Sequence, residues 1–333
     1  TLGADMRLGE RVETVDQTNR TVTTAAGDRF AYGALLLATG GTPKRLDVPG
    51  GNPETLLYYR TLADYTCLRD RDWQEVPVIV VGAGFIGSEM AAALQMQGAS
   101  VTMIFPEDGL CPKVFPEALA RARRQDYEKR GVTVLAGDKP LRFAYEGDGL
   151  IMHTREGKRV EARAAVAGIG IAPATSLAEA AGLAVEDGIQ VDDRLRTSDP
   201  HIYAAGDNAS FPCATLERRM RIEHWDNAQA QGKQAGRNMA GADEPFTYLP
   251  FFFSDLFDFG FEAVGAIDSR LETVADWEEE NEKGVVYYAE DGRLCGALMC
   301  DVWDKVDAAR TLIEQRTEVA EDNVPDLEEV GAQ

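Results

Sequence analysis

The sequence predicts an α/β fold, and three observations carry that prediction. The first is Val78-Ile79-Val80-Val81-Gly82-Ala83-Gly84-Phe85-Ile86-Gly87-Ser88-Glu89, an all-apolar run, a glycine turn and then good helix formers. A second apolar run follows at 100–105, the order expected of a parallel strand–helix–strand unit. The third is a late apolar strand, Ile202-Tyr203-Ala204-Ala205, cut off by Gly206-Asp207. From about Pro245 the composition turns aromatic, with Phe246, Tyr248, Phe251, Phe252, Phe253, Phe257, Phe259 and Phe261, which marks a separate C-terminal section.

The glycine turn stands in the context that G-x-G-x-x-G requires, strand before and helix after. Gly82 permits the turn, Gly84 leaves the backbone open to a pyrophosphate, and Gly87 lets the helix pack close to the strand. Free N–H groups at the helix start, with the positive end of the helix dipole, then face the anion. A dinucleotide site follows. Such sites place an acid about 20 residues on to hold the ribose hydroxyls. Here the first acid after the second strand is Glu107, following Phe105-Pro106. Either it reaches the ribose from the loop or it is a solvated carboxylate. No Arg lies in 100–107 to meet a 2′-phosphate, so the reading favours NADH over NADPH.

Bulk composition narrows the class. The 333 residues suffice for two or three domains, and 44% apolar content is ordinary for a globular protein. Thirty-four Lys and Arg stand against 56 Asp and Glu, a net charge of −22, which argues against nucleic acid and anionic membranes. No apolar run approaches the roughly 20 residues of a bilayer span. Cys67, Cys111, Cys213, Cys295 and Cys300 make no C-x-x-C, and three histidines give no zinc-like spacing. Scattered, odd-numbered cysteines are expected to be reduced, and the location cytoplasmic.

In chain order, turn signals within 5–32 predict hairpin strands at 11–15, 21–24 and 29–32. A short buried strand at 34–38 runs into the sharp turn Thr39-Gly40-Gly41-Thr42-Pro43. Residues 58–75 cross into the dinucleotide unit. Pro116 opens an amphipathic helix that Gly131 stops, and 132–135 is the next strand. Segments 141–145, 150–154 and 159–161 predict an antiparallel excursion. A buried strand over 164–171 returns through Gly168-Ile169-Gly170. Asp207 is either a helix N-cap or a carboxylate aimed into a ligand crevice at a strand end. A helix from Asp226 to about Met239 has a small-residue face, Ala228, Gly232, Ala235 and Gly236, and follows His224-Trp225. Strands at 262–267, 285–288 and 294–299 and a helix over 302–316 complete the chain, with 276–282 read as an acidic loop.

Leu36-Leu37-Ala38-Thr39-Gly40-Gly41, the Gly82–Gly84–Gly87 turn and Ile202-Tyr203-Ala204-Ala205-Gly206-Asp207 stand in an order that resembles the FAD- and NAD-binding pyridine nucleotide oxidoreductases. Phe105-Pro106-Glu107, Arg221-Ile222-Glu223-His224-Trp225-Asp226-Asn227-Ala228, Phe253-Ser254-Asp255-Leu256 and Gly284-Val285-Val286-Tyr287-Tyr288 resemble apoptosis-inducing factor and the ferredoxin reductases of dioxygenase systems. The resemblance implies two Rossmann-like domains: an FAD domain (1–57 and 173–244) split by an NAD domain (58–172). A C-terminal α+β domain (245–333) follows.

By that resemblance, Gly206 and Asp207 meet the FAD ribityl and pyrophosphate, with Thr39, Gly40, Gly170, Glu223, His224 and Trp225 also in the cofactor set. Glu89 and Phe85 correspond to family residues near the nicotinamide and flavin rings. Read from the residues alone, Glu89 is foremost an acid in a first helical turn, a reading that the resemblance reverses, and Phe85 is equally a core ring. Phe253 stands where the family commonly has Trp. The family's first G-x-G-x-x-G and an N-terminal lysine that pairs with the counterpart of Glu89 are not in this sequence, so it is expected to be the downstream part of a longer protein.

These features predict a flavoprotein taking hydride from NADH and passing electrons to an acceptor, with a [2Fe–2S] ferredoxin as first candidate. The charge of −22 opposes an acidic ferredoxin unless a local basic patch exists, and Arg218, Arg219 and Arg221, or Arg121, Arg123 and Arg124, are the tight basic groups. One rival is an NADH-binding redox-sensing module, marked by a homodimer that forms with NADH. The other is a disulfide reductase, weakened by the lack of C-x-x-C and of any histidine beyond His224.

Overall fold

The computed structural model describes residues 3–51, 56–147 and 149–330. The chain folds as two compact units, residues 1–42 with 173–250, and residues 43–172 with 251–333.

In the first unit an antiparallel hairpin sheet is built from Val12–Asp16, Thr21–Thr24 and Arg29–Ala31. Its turns sit where Asp, Asn and Gly were expected to place them. Leu35–Leu37 pairs in parallel with Ile202–Ala204. Parallel strands so distant in sequence bring two loop starts together: Thr39-Gly40 after the first, and Gly206-Asp207 after the second. A four-stranded sheet runs in the order Val185–Glu186, Gly188–Gln190, Ala209–Cys213, Arg218–Met220. The helix Trp225–Met239 lies close to the Ile202–Ala204 strand, but the face it buries is Asn227, Gln231, Ala235 and Asn238 rather than the expected small one. Gly236 is exposed, and a Cβ on Gly232 or Gly236 would meet nothing within 4 Å.

The second unit carries a five-stranded, all-parallel sheet in the order Leu56–Tyr58, Ala164–Ala167, Pro77–Val81, Ser100–Phe105, Thr133–Ala136. Val78, Ile79, Val80, Met103 and Ile104 are buried, as strands covered on both faces require. The helices Phe85–Met96 and Glu117–Lys129 connect successive strands of this sheet. The antiparallel excursion Pro140–Glu146, Gly149–Thr154, Arg159–Ala162 has the expected three strands.

A second five-stranded sheet, wholly antiparallel, is ordered Phe251–Leu256, Phe259–Gly265, Arg293–Cys300, Lys283–Glu290, Glu272–Glu279, with the helix Val306–Glu314 beside it. The acidic stretch read as a loop from 276 is, up to Glu279, an edge strand. Only Leu271, Val274 and Trp277 are part-buried between 271 and 280, so the alternation that marks a strand was masked by carboxylates on both faces. Charged edges of this kind discourage strand-to-strand aggregation. Similarly, Leu62–Arg69 in the expected crossing is a helix, closed by a Thr61–Asp64 capping box. No described helix is long and apolar enough to cross a membrane.

Candidate functional site

In the second unit, the glycine turn is a close three-way contact of backbone. Gly82 has φ +111°, and a Cβ there would lie 2.4 Å from the Gly168 carbonyl oxygen. A Cβ on Gly87 would lie 2.2 Å from the Gly82 oxygen. The close packing predicted for Gly87 is therefore made against the turn itself. Gly84 differs: a Cβ there would meet nothing within 4 Å, and the residue is exposed. It is the N-cap of the helix Phe85–Met96, and no side chain caps that end. Uncapped N–H groups beside open space fit the pyrophosphate of a dinucleotide. The turn is held from beneath by Gly82 N–H to Ile104 O (2.9 Å), Cys111 N–H to Ala83 O (2.7 Å) and Gly168 N–H to Val81 O (2.9 Å).

Phe85 and Glu89 lie one turn apart on the helix, facing the strand Phe251–Leu256. Phe85 packs edge-on to Phe252 at 5.2 Å between centroids, so it is a packing ring as well as a candidate site residue. Glu89 is half-buried and accepts a 2.5 Å hydrogen bond from the Ser254 hydroxyl. Burial pushes its carboxyl above the usual range, Ser254 pulls it down and the Asp255 charge pushes it up. Phe253, on the opposite face of the strand, is 61% exposed, a position from which a ring can stack on a ligand. Glu107 is exposed where the Ser100–Phe105 strand ends, and its carbonyl accepts from Gly137 N–H (3.1 Å). Gly170 has φ +93° and its carbonyl accepts from Lys44 N–H at 2.9 Å.

In the first unit, Thr39 and Gly206 come together at the ends of the parallel pair through a residue absent from the predicted set. Asn208 Nδ2 donates to Leu37 O (3.1 Å) and Thr39 Oγ1 (2.8 Å), while Thr39 donates to Ala174 O (2.6 Å). The Gly40 carbonyl accepts from Ala174 N–H at 2.8 Å. Gly206, at φ +87°, donates its N–H to Gln231 Oε1 (2.8 Å). Asn208 Oδ1 and Gln231 Nε2 are buried without a hydrogen-bond partner among the described residues. A buried acceptor and donor left open in this way fit a polar ligand rich in hydroxyls, such as the ribityl chain of FAD. Asp207 is half-buried, and its carbonyl accepts from Arg221. The helix Trp225–Met239 begins at the N-cap His224 with no side-chain cap, and Trp225 is 71% exposed. Burial pushes the His224 imidazole down to about 4, so it is neutral at pH 7. Glu223 is exposed and pairs with Arg221 at 2.5 Å.

Both arginine groups are occupied within the chain. Arg121 pairs with Glu117 (2.9 Å), Arg123 with Glu282 (2.5 Å) and Arg124 with Asp108 (2.5 Å). Arg219 donates to the Val191 and Ser210 carbonyls, and Arg221 to Asp187 (2.8 Å) as well as Glu223.

Residues 1–232 match the family model described as pyridine nucleotide-disulphide oxidoreductase. The chain belongs to that family. Residues 235–283 match the C-terminal model of apoptosis-inducing factor, mitochondrion-associated. The chain is 34% identical over 322 residues to apoptosis-inducing factor 1, mitochondrial, of Dictyostelium discoideum, covering 89% of this chain but only 60% of that protein. It is 34% identical over 310 residues to the ferredoxin–NAD(+) reductase component of the anthranilate 1,2-dioxygenase system of Burkholderia cepacia, covering 92% of this chain and 76% of that one. Among solved structures it is similar to the ferredoxin reductase for the CYP199A2 system of Rhodopseudomonas palustris. There the TM-score is 0.90 at 28% identity, over 98% of this chain and 82% of that one. The α/β fold class read from the sequence, Rossmann-like with a C-terminal α+β domain, agrees with the parallel-sheet core and C-terminal antiparallel sheet, which match that reductase.

Proposed function

We propose that the protein carrying this chain is an FAD-dependent NADH oxidoreductase. The observation that bears most weight is the glycine turn, whose Gly84 opens onto free space above an uncapped helix in a chain of this family. When bound, FAD accepts hydride from NADH and releases electrons to an acceptor.

The chain's own residues bind, orient and tune. Gly82, Gly84 and Gly87 admit the NADH pyrophosphate, and Glu107 accepts from the adenosine ribose hydroxyls, which disfavours a 2′-phosphate. Phe85 and Glu89 hold the nicotinamide end. Gly206, Asp207, Thr39 and Gly40 receive the FAD ribityl and pyrophosphate. The start of the Trp225–Met239 helix, with Glu223, His224 and Trp225, presents N–H groups that favour negative charge on the reduced ring. In this assignment residues 1–42 and 173–250 serve FAD, and the parallel sheet within 43–172 serves NADH.

The acceptor in this reading is a [2Fe–2S] ferredoxin, supported by the names of the Burkholderia and Rhodopseudomonas relatives. Internal pairing of the arginines means that its docking draws little on either basic group. A second reading, an NADH-responsive interaction module, draws on the match of 235–283 to the apoptosis-inducing factor C-terminus. The visible spectrum of the intact protein tests the proposal. A flavin band bleached anaerobically by NADH is expected. A protein with no such band, or one that NADH leaves unchanged, overturns it, and NADH-dependent dimerisation without bleaching favours the second reading.

A further inference from the structure

We propose that Ser254 is the positioning residue for Glu89, its hydroxyl holding the Glu89 carboxyl group in a single orientation on the glycine-turn helix. The proposal rests on the reading of Glu89 as the acid at the nicotinamide.

Ser254 breaks the pattern of its own strand. Along Phe251–Leu256 the buried face carries Ser254 and Leu256, while Phe253 and Asp255 are exposed. A hydroxyl therefore occupies a slot in an apolar row, 4% exposed. A buried hydroxyl needs a partner, and its hydrogen bond runs to Glu89 Oε1 at 2.5 Å across 165 residues of sequence. An ionised carboxylate is acceptor-only, so the O–H···O⁻ arrangement favours the charged form. One helical turn earlier, Phe85 meets Phe252 of the same strand. Two contacts one turn apart thus pin the helix to the strand and fix where the carboxylate points.

The surroundings make that hydroxyl matter. Burial raises the Glu89 carboxyl, and Asp255 raises it further. Tyr59, Cys111 and Tyr127 also feel the Glu89 charge, and none of these four neighbours is a cation. Among the described residues, Ser254 is the group that opposes the upward push.

The test uses the flavin-loaded full-length protein labelled with 13C at the glutamate carboxyl, the Glu89 resonance being identified by its loss in Glu89→Gln. In Ser254→Ala the Glu89 titration midpoint is expected to rise by about one pH unit, the effect of losing one hydrogen bond to a charged acceptor. Ser254→Thr, which keeps the hydroxyl, should return it. Ser254→Cys, close in shape with a weaker donor, should fall between and serves if the alanine variant folds poorly. The pH profile of flavin reduction by NADH should move with the midpoint. A midpoint unmoved in Ser254→Ala and Ser254→Cys overturns the proposal, whatever happens to stability. A midpoint that moves while Glu89→Gln reduces flavin at the parent rate and pH profile leaves Ser254 as the positioner and removes Glu89 from the nicotinamide.

Discussion

Two glycines three residues apart should respond in opposite ways to one added methyl. At Gly87 the new Cβ would sit 2.2 Å from the Gly82 oxygen and 2.8 Å from its carbonyl carbon. Those are backbone atoms of a turn that is itself hydrogen-bonded to the sheet, so they cannot swing aside. Overpacking of this kind costs about 1–3 kcal/mol. At Gly84 the new Cβ would meet nothing within 4 Å, and φ −75°, ψ −176° is open to any residue. Poorer N-capping by alanine and the reduced freedom of the unfolded chain nearly cancel, leaving a change within about 0.5 kcal/mol. The methyl would, however, stand where a pyrophosphate must approach. Gly84→Ala should therefore weaken NADH binding at least about tenfold, or 1.4 kcal/mol, at unchanged stability. Gly87→Ala should lower stability first. Chemical denaturation and NADH titration of the intact protein measure the two quantities separately. A Gly84→Ala protein that binds NADH as tightly as its parent refutes the site.

Other consequences are open to measurement. Because burial holds His224 near 4 while the unfolded imidazole titrates near 6.5, the unfolded chain binds the extra proton in that interval. Stability should be whole above pH 6.5 and fall as pH drops toward 4, by on the order of 2 kcal/mol. His224→Gln should flatten that limb in denaturation curves recorded across the range. Arg123, 2% exposed, stacks on Phe259 at 4.1 Å and pairs with a Glu282 that is half in solvent. Arg123→Ala should cost about 2–4 kcal/mol through lost packing. Arg123→Met should cost clearly less, since Glu282 can rehydrate, and equal losses would contradict this account. Arg121 and Arg124 both approach Asp108, one residue beyond Glu107. Replacing Glu107 by Gln and Asp108 by Asn together should remove two carboxylates and release Arg124 from its Asp108 partner for a 2′-phosphate, while Arg121 stays paired with Glu117. The NADPH-to-NADH ratio of kcat/KM should then rise at least about tenfold.

Much of the architecture was legible because local periodicity encodes it. The all-apolar run at 78–81 could only be a strand buried on both faces, and Gly82, Gly84 and Gly87 announced the turn behind it. The expected strand at 100–105 and the helix opened by Pro116 end within a residue of where they were placed. Several elements escaped, among them the strands Leu56–Tyr58, Ala209–Cys213, Arg218–Met220 and Phe251–Leu256, and two others show a common reason. Glu272–Glu279 is an edge strand exposed on both faces, so it shows no period-two pattern. Leu62–Arg69 rests on its capping box and a single buried side chain, Leu68, so its amphipathic signal is weak.

The candidate site divides along the same line. Gly84 and Glu107 could be named from motif and spacing, whereas Glu89 came from the family resemblance and Asp207 stood open between a helix N-cap and a crevice carboxylate. That Ser254 would reach Glu89, or Asn208 would reach Thr39 across 169 residues, could not. Nor could the sequence reveal that its arginine clusters are spent on Asp108, Glu117, Glu282 and Asp187. A chain segment specifies which of its faces is apolar and where its backbone can turn. Which distant face it meets, and so which polar atom finds its partner, is settled only when the sheets and helices pack.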